Sequence, residues 1–600
     1  MGQRHTLVHQ IFDWAEKKPD TPVLFEKNTQ GDWRSLTWKE YEQRVRAIAK
    51  GLIALGHQKG DCVAIVGDNR IDWVLCQFGI MAARGLPAPI YTTNTDSQTA
   101  YIVNHSRSKI AICDKKSQLD KYLKASNQGE IQTEKFITMD EIPDQGDSVM
   151  SLSALEALGT EQDDTELNQR LSDLTDEESA LLIYTSGTTG VPKAVELNHG
   201  GMIFVGDGLT AQFEFLQEEG NYRSLSYLPL CHVAEQIFTN IACLNNGGSV
   251  YFCPDLKLLK EYLPGVRPTV FLGVPRVWEK FEAALKGKLS EATGIKAKLA
   301  AWALKTEFDA FKTQVAAGKP FDSFKRKLAN KLVVSKIKTK LGLDALMVAA
   351  TGAAPIKVET QEFFASLGIC IYEGYGMSET SGVATVNDAH KPAFGSVGKP
   401  LNGVEVKIAD DGEILLKGRN MTRGYLYMPE KTAELIDDED WIHTGDLGEI
   451  GPDGNLKITG RKKDLIITAG GKNIAPAEME AHIKTITGIG QAVVVGDNQP
   501  YLSALVALDI EEIEDLCKRV GISASSTREA SQDPKVRDFF ESEIEEKCNK
   551  KVGRWQTIKK FEILPEEFSV ETGELTPTLK VKRNEVNKKF SDKVAAFYEA

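Results

Sequence analysis

Residues 184–193 read Tyr184-Thr185-Ser186-Gly187-Thr188-Thr189-Gly190-Val191-Pro192-Lys193, directly after the apolar run 180–183. That run has the composition of a buried strand, so the ten residues form a loop leaving it. Four hydroxyl side chains, two glycines and a lysine share this short stretch. Glycine lets backbone N–H groups approach phosphate oxygens, hydroxyls donate further bonds, and lysine neutralises charge. The GxxxxGK[ST] spacing of a Walker A loop is absent. By composition alone, the stretch reads equally as a plain Ser/Thr/Gly turn.

On both sides of this loop, short β-branched runs alternate with helical patterns. Strands are expected at 181–184, 249–253, 269–273, 346–350 and 369–372. A helix is expected over 38–55, where Thr37 and Glu40 form a capping box and Tyr41, Val45, Ile48 and Leu52 mark an apolar face. Another follows Pro275, with Trp278, Phe281, Leu285 and Leu289 at helical spacing. The alternation predicts an α/β fold with largely parallel sheets. Near residue 395 the character changes to short strands at 404–408, 413–416 and 455–459, split by Asp411-Gly412 and Asp453-Gly454 turns: an antiparallel meander. After Arg461-Lys462-Lys463-Asp464 the α/β pattern resumes. The expected organisation is a large domain over 1–460 of layered α/β sheets with a β-rich subdomain at 395–460, a hinge at 460–464, and a small mobile α+β lid over 465–600.

The chain has 600 residues, enough for roughly three or four folding units. Its net charge of −13 speaks against a nucleic-acid partner. No stretch approaches the ~18 apolar residues of a membrane span. The N-terminal residues lack a basic-then-apolar signal pattern, so a cytoplasmic protein is expected. Gly2 and Thr6 fit the loose N-myristoylation pattern, a match that chance supplies more often. Nine scattered cysteines, without a CxxC pair, fit a reducing compartment and no structural zinc, with Cys231 a passive thiol. Residues 280–340 carry 15 Lys/Arg against 5 Asp/Glu. This is either the solvated face of surface helices or a surface for anionic lipid or a polyanionic cosubstrate, compatible with weak peripheral membrane association.

Three further segments carry chemistry. Tyr372-Glu373-Gly374-Tyr375-Gly376-Met377-Ser378-Glu379-Thr380 follows an expected strand; Tyr375 between glycines can stack on a base, and Glu379 can hold magnesium. Upstream, Gly352-Ala353-Ala354 ends a strand with small residues, where ligands of open α/β sheets bind. Asp446, in Thr444-Gly445-Asp446, can bind ribose hydroxyls with Arg461, or the two can form a surface salt bridge. Near the C-terminus Thr576-Pro577-Thr578-Leu579-Lys580 sets a lysine on a short turn, within reach of a phosphoryl or carboxylate group or of solvent alone.

Together and in this order, YTSGTTGVPK, YGMSET, TGD, GRKKD and TPTLK resemble the adenylate-forming superfamily of acyl-CoA synthetases, adenylation domains and luciferases. The likeness spans roughly residues 20–590. Ser226-Tyr227-Leu228-Pro229-Leu230-Cys231-His232 and Gly273-Val274-Pro275-Arg276-Val277-Trp278-Glu279-Lys280 are similar to the long-chain and bubblegum-type acyl-CoA synthetases. The resemblance implies ATP, Mg2+ and CoA as cosubstrates and cofactor, with a medium-to-long-chain fatty acid as the substrate. It implies that Thr185, Ser186, Gly187, Thr188, Thr189, Gly190 and Lys193 wrap the phosphates. Gly352, Ala353 and Ala354 would line the adenine, with Tyr375, Gly376, Met377 and Ser378. Thr185 and Glu379 would support magnesium, Asp446 and Arg461 would hold ribose, and His232 would sit near the carboxylate. Lys580 would bridge carboxylate and α-phosphate, Lys463 would mark the hinge, and Gly470-Gly471 would line the thiol tunnel.

Two positions depart from the pattern: Ala194 follows Lys193 where glycine is usual, and Asn198 precedes His199 where Ser or Thr is usual. Ala194 puts the loop's backbone freedom in question. The rival readings are an acyl-AMP ligase loading a carrier protein, a P-loop phosphotransferase releasing ADP, and a nonenzymatic acyl- or nucleotide-binding protein. Only about twenty residues follow Lys580, so a free-standing ligase is expected.

Overall fold

The structure is a computed structural model that describes residues 6–143, 146–186, 191–470, 472–576 and 579–599. A five-stranded, wholly parallel sheet runs in the order Leu86–Ile90, Cys62–Val66, Ile110–Cys113, Lys135–Thr138 and Val149–Ser151. Its inner strands, such as Cys-Val-Ala-Ile-Val at 62–66, are buried throughout because helices cover both faces. The helix Trp38–Ala54 packs there through Tyr41, Val45, Ile48 and Leu52. Its capping box is made: the Thr37 N–H donates to Glu40 Oε2 at 2.8 Å, and the Glu40 N–H to Thr37 Oγ1 at 3.3 Å. Such a cap is worth about 1 kcal/mol.

A second sheet places Val270–Leu272, Val348–Thr351 and Ile371–Met377 in parallel, then adds Gly382–Val386 and Lys399–Pro400 antiparallel. Here the structure corrects the sequence reading. The strand does not stop near residue 372 but runs on through Gly374-Tyr375-Gly376, bulged between Tyr375 and Gly376. Glycine permits this by close approach rather than by turning. A Cβ on Gly376 would lie 1.7 Å from the Gly382 carbonyl oxygen.

The Ser/Thr/Gly loop joins two antiparallel strands, Ser179–Ser186 and Pro192–Asn198, with Thr185 opposite Lys193. Ala194 is a buried strand residue in this pair, so its methyl packs into the core instead of constraining a loop. Asn198 caps the helix His199–Gln212, its Oδ1 accepting from the Gly201 N–H at 2.6 Å.

The meander has four strands in sequence order: Val404–Ile408, Glu413–Gly418, Ile442–Ile450 and Leu456–Arg461. The third, absent from the sequence reading, carries Asp446. Beyond it a three-stranded sheet sets Ile489–Val495 antiparallel and Ile558–Leu564 parallel to the central Leu502–Leu508. Alternate residues feed different cores: Ala492, Val494, Ala504 and Val506 one, Val493, Val495, Leu505 and Ala507 the other. This C-terminal sheet docks on the rest through Arg276, whose guanidinium lies 2.7 Å from Asp509, and through Lys280, 3.4 Å from Glu511. Among the described residues, no helix is long and apolar enough to cross a membrane.

Candidate active site

Asp446 and Arg461 face each other across adjacent strands, so the meander itself sets their pairing. Arg461 Nε lies 2.8 Å from Asp446 Oδ1, and the Tyr375 hydroxyl donates to Asp446 Oδ2 at 2.8 Å. The buried carboxylate thus ties the second sheet to the meander. Burial pulls the Arg461 pKa down, but Asp446, Asp464 and Tyr375 together outweigh it and the guanidinium stays firmly charged. Burial, then Asp446, pushes the Tyr375 phenol well up, keeping it neutral. Gly352 lies against this strand, where a Cβ would come 2.9 Å from the Gly374 carbonyl oxygen. Ala353 adopts φ +69°, a left-handed conformation that costs a non-glycine residue roughly 1–2 kcal/mol. Ala354 completes this small-residue edge, while Met377 and Ser378 turn the chain toward Glu379.

Glu379 is buried, and the Tyr425 hydroxyl donates to its Oε1 at 2.8 Å. Lys193 lies over the ring of that same tyrosine, 4.5 Å from its centroid. Burial raises the Glu379 pKa against the opposing pull of Tyr425, Lys193 and Arg461. A carboxylate so placed favours a cation beside it. No cluster of three His, Cys, Asp or Glu stands ready for a metal among the described residues. One carboxylate is nevertheless the donor set of a magnesium ion held mostly by phosphate and water oxygens. Tyr425 escaped the sequence reading because nothing in its local sequence marks it; only the fold brings it under Lys193.

Lys580 arrives from the C-terminal segment. Its N–H donates to Thr576 Oγ1 at 3.0 Å, and Leu579 before it takes φ +62°. Leu579 packs against both a core of the large body and a core of the C-terminal sheet. Burial, with Arg461 and Lys463 nearby, lowers the Lys580 pKa to about 8, while Asp446 and Glu379 pull the other way. His232 falls to about 3, through burial and then Lys580, so its ring is neutral. The Ala234 N–H donates to His232 Nδ1 at 3.2 Å, which leaves the proton on Nε2 as a donor. Lys463 also joins this electrostatic group, its pKa lowered by burial and then Arg461.

Thr185, Lys193, His232, Tyr375, Glu379, Asp446, Arg461, Lys463 and Lys580 are therefore placed around one region by five separate chain segments. Gly187, Thr188, Thr189, Gly190, Gly471 and the Ser186 side chain lie outside the described residues, as does Gly2. Gly470 is exposed, following Thr468 and Ala469, whose N–H groups donate to the Lys472 and Gln499 carbonyls. The Cys231 thiol is buried and its pKa is pushed up, as expected of a passive thiol.

An α/β body followed by a smaller C-terminal unit, whose last segment brings Lys580 beside Asp446 and Arg461, has the layout of an adenylate-forming enzyme. Residues 11–426 match the AMP-binding enzyme family and residues 463–600 its C-terminal domain, so the chain belongs to the AMP-binding enzyme family. It is 36% identical to the long-chain-fatty-acid–CoA ligase ACSBG2 of Xenopus laevis, covering 99% of this chain and 84% of that one. It is 34% identical to the long-chain-fatty-acid–CoA ligase FadD15 of Mycobacterium tuberculosis, covering 100% and 98%. The fold matches the adenylation domain of a carboxylate reductase from Mycobacterium chelonae (TM-score 0.75, 21% identity, 99% and 91% covered). It also matches the anthranilate CoA ligase AuaEII bound to anthranoyl-AMP (TM-score 0.72, 18% identity, 99% of each chain covered).

Proposed function

We propose that this enzyme joins a medium-to-long-chain fatty acid to CoA, releasing AMP and pyrophosphate from ATP. The observation that carries this reading is Lys580 in the company of His232, Glu379, Asp446 and Arg461, since a buried ammonium with Arg461 and Lys463 beside it suits an anionic substrate. The printed activity of its relatives supports the fatty acid and CoA, and disfavours a carrier protein as acceptor.

In this reading the chain divides at 460–464 into a body and a mobile lid. Asp446 and Arg461 hold the ribose, Tyr375 stacks on the adenine beside Gly352–Ala354, and Lys193 with the Thr185 loop holds the phosphates. Glu379 would hold magnesium, which would supply neutralisation of phosphate charge. A carboxylate oxygen bonds to the α-phosphorus while the bond to the β-phosphate oxygen breaks, giving acyl-AMP and pyrophosphate. Lys580 offsets the charge gathering between carboxylate and phosphate, and neutral His232 donates from Nε2 near the carboxylate. The lid then turns, exchanging Lys580 for the Gly470-Gly471 turn. The CoA thiolate attacks the acyl carbon and AMP leaves. The same reading puts the enzyme in the cytoplasm, at membrane surfaces where its substrates partition.

The test is CoA-dependent AMP release across acids from acetate to long-chain fatty acids. Each buried methylene contributes about 0.8 kcal/mol, so kcat/KM should climb roughly fourfold per carbon until the pocket ends. A maximum at acetate or at an aromatic acid would overturn the fatty-acid reading, and ADP as product would overturn the reaction itself.

A further inference from the structure

The body carries a helical hairpin that the active site does not use. Gly294–Ala317 runs out and Phe324–Ala329 returns, continuing through a π-type turn at Asn330–Val334 into Ser335–Leu341. Its inner side is anchored. Ala303, Glu307, Ala310, Ala329 and Val334 are buried, Arg326 pairs with Glu307 at 2.5 Å, and Phe311 stacks on Phe394 with centroids 5.3 Å apart.

Its outer side combines two features that rarely coincide by accident. The first is apolar. Phe324, Leu328 and Leu332 recur every fourth residue with exposures of 81%, 38% and 36%, and Ile295 on the partner helix is 85% exposed. Trp302 and Phe321 are exposed on the same hairpin. Single exposed apolar residues are ordinary, but these six gathered on one hairpin mark an interaction surface. The second feature is charge. Residues 294–341 hold 12 Lys/Arg against 3 Asp/Glu, in a chain whose net charge is −13. Lys325, Lys331 and Lys336 beside the apolar row are exposed, and among the described residues they form no ion pair. Aromatic and aliphatic groups flanked by unpaired lysines match an anionic lipid surface, with side chains entering the acyl boundary and ammonium groups at the headgroups.

We propose that the outer face of the 294–341 hairpin docks the enzyme on anionic membranes. Docking needs no ligand in the active site. Its value to the enzyme rests on the fatty-acid reading, because such substrates partition into bilayers.

The experiment is flotation of the full chain with phosphatidylcholine vesicles, with and without about one third phosphatidylglycerol, from about 50 to 500 mM salt. Binding should require the anionic lipid and fall with salt. Each lysine near such a surface contributes roughly fivefold in affinity. The K325E/K331E/K336E variant should therefore lose at least about 100-fold. Phe324→Ser should lose about tenfold, through apolar contact alone. Both variants should turn over a water-soluble medium-chain acid normally without vesicles. Equal capture by neutral vesicles, unchanged binding of the variants, or retention on heparin without vesicle binding would each overturn the proposal. Failure of soluble turnover in the wild-type protein would count against the ligase reading and leave docking untouched.

Discussion

Replacing Lys580 with alanine should separate the two half-reactions. The drop of its pKa from the ordinary 10.5 to about 8 corresponds to roughly 3 kcal/mol of net cost in keeping the ammonium charged there, from burial first and then Arg461 and Lys463. That cost falls on the ligand-free closed lid and is offset once phosphates and a carboxylate surround the charge. Lys580→Ala should therefore close more readily without ligand, yet make acyl-AMP about 10²–10³ times more slowly, as when a preorganised donor is lost. Thioester formation from supplied acyl-AMP should stay near the wild-type rate, since in the proposed cycle the turned lid carries residue 580 away. Lys463→Pro should do the opposite, because fixing φ at the hinge blocks rotation. The pH dependence has a definite sign. Burial depresses the Lys580 pKa, so the ligand-free lid closes more easily as pH rises from about 8 toward 10.5. Catalysis needs the ammonium, so adenylation kcat/KM should fall above about pH 8. The kcat limb should lie higher, because bound phosphates restore the proton. Pyrophosphate release and acyl-CoA formation from synthetic adenylate measure the two steps. Equal losses in both for Lys580→Ala would refute the alternating lid.

Other expectations follow from the same geometry. Asp446→Asn leaves Arg461 and Tyr375 without their shared anion, and the AMP Kd should rise about 10–100-fold by calorimetry; a change under about threefold would count against ribose binding there. Gly376→Ala forces a methyl toward the Gly382 carbonyl, and denaturant unfolding should report a loss of about 1–3 kcal/mol; wild-type stability would contradict the close approach. Burial alone would raise the Asp509 pKa, but Arg276 holds it below the ordinary value. Their attraction is therefore present above the ordinary carboxylate pKa and lost as pH falls through the depressed one. Arg276→Ala should slow adenylation while sparing the thioester step, and scattering should show a more extended ligand-free molecule. An unchanged radius of gyration would remove Arg276 from lid docking.

Much of this was legible from residue order. The capping box at Thr37 and Glu40, the helix after Pro275 and the meander turns are local signals, and local hydrogen bonding decides them. The strand through Gly374-Tyr375-Gly376 was not legible, because glycine there serves contact with Gly382, a partner set by tertiary packing. Ala194 and Asn198 looked like departures from the family pattern, yet one packs as a strand residue and the other caps a helix. At the site, Lys580, Asp446 and Glu379 stood out within motifs. Tyr425 did not, since its value lies in bridging Glu379 and Lys193 from a distant segment. Arg276 appeared only within the Gly273–Lys280 segment that carries the long-chain likeness, and its partners Asp509 and Glu567 lie more than two hundred residues away.

Leu579 belongs to two hydrophobic cores at once. On the proposed lid motion, turning away pulls this side chain out of the body, so the closed position would act as a detent, held by one apolar peg beside Lys580. In the alternating-lid reading proposed above, the peg's socket is empty while CoA reacts. We predict that a small apolar molecule lodged there would act as a wedge, letting the current thioester leave and preventing the next adenylate from forming. Such a compound would inhibit pyrophosphate release without competing with ATP, and inhibition that ATP relieves would rule the wedge out.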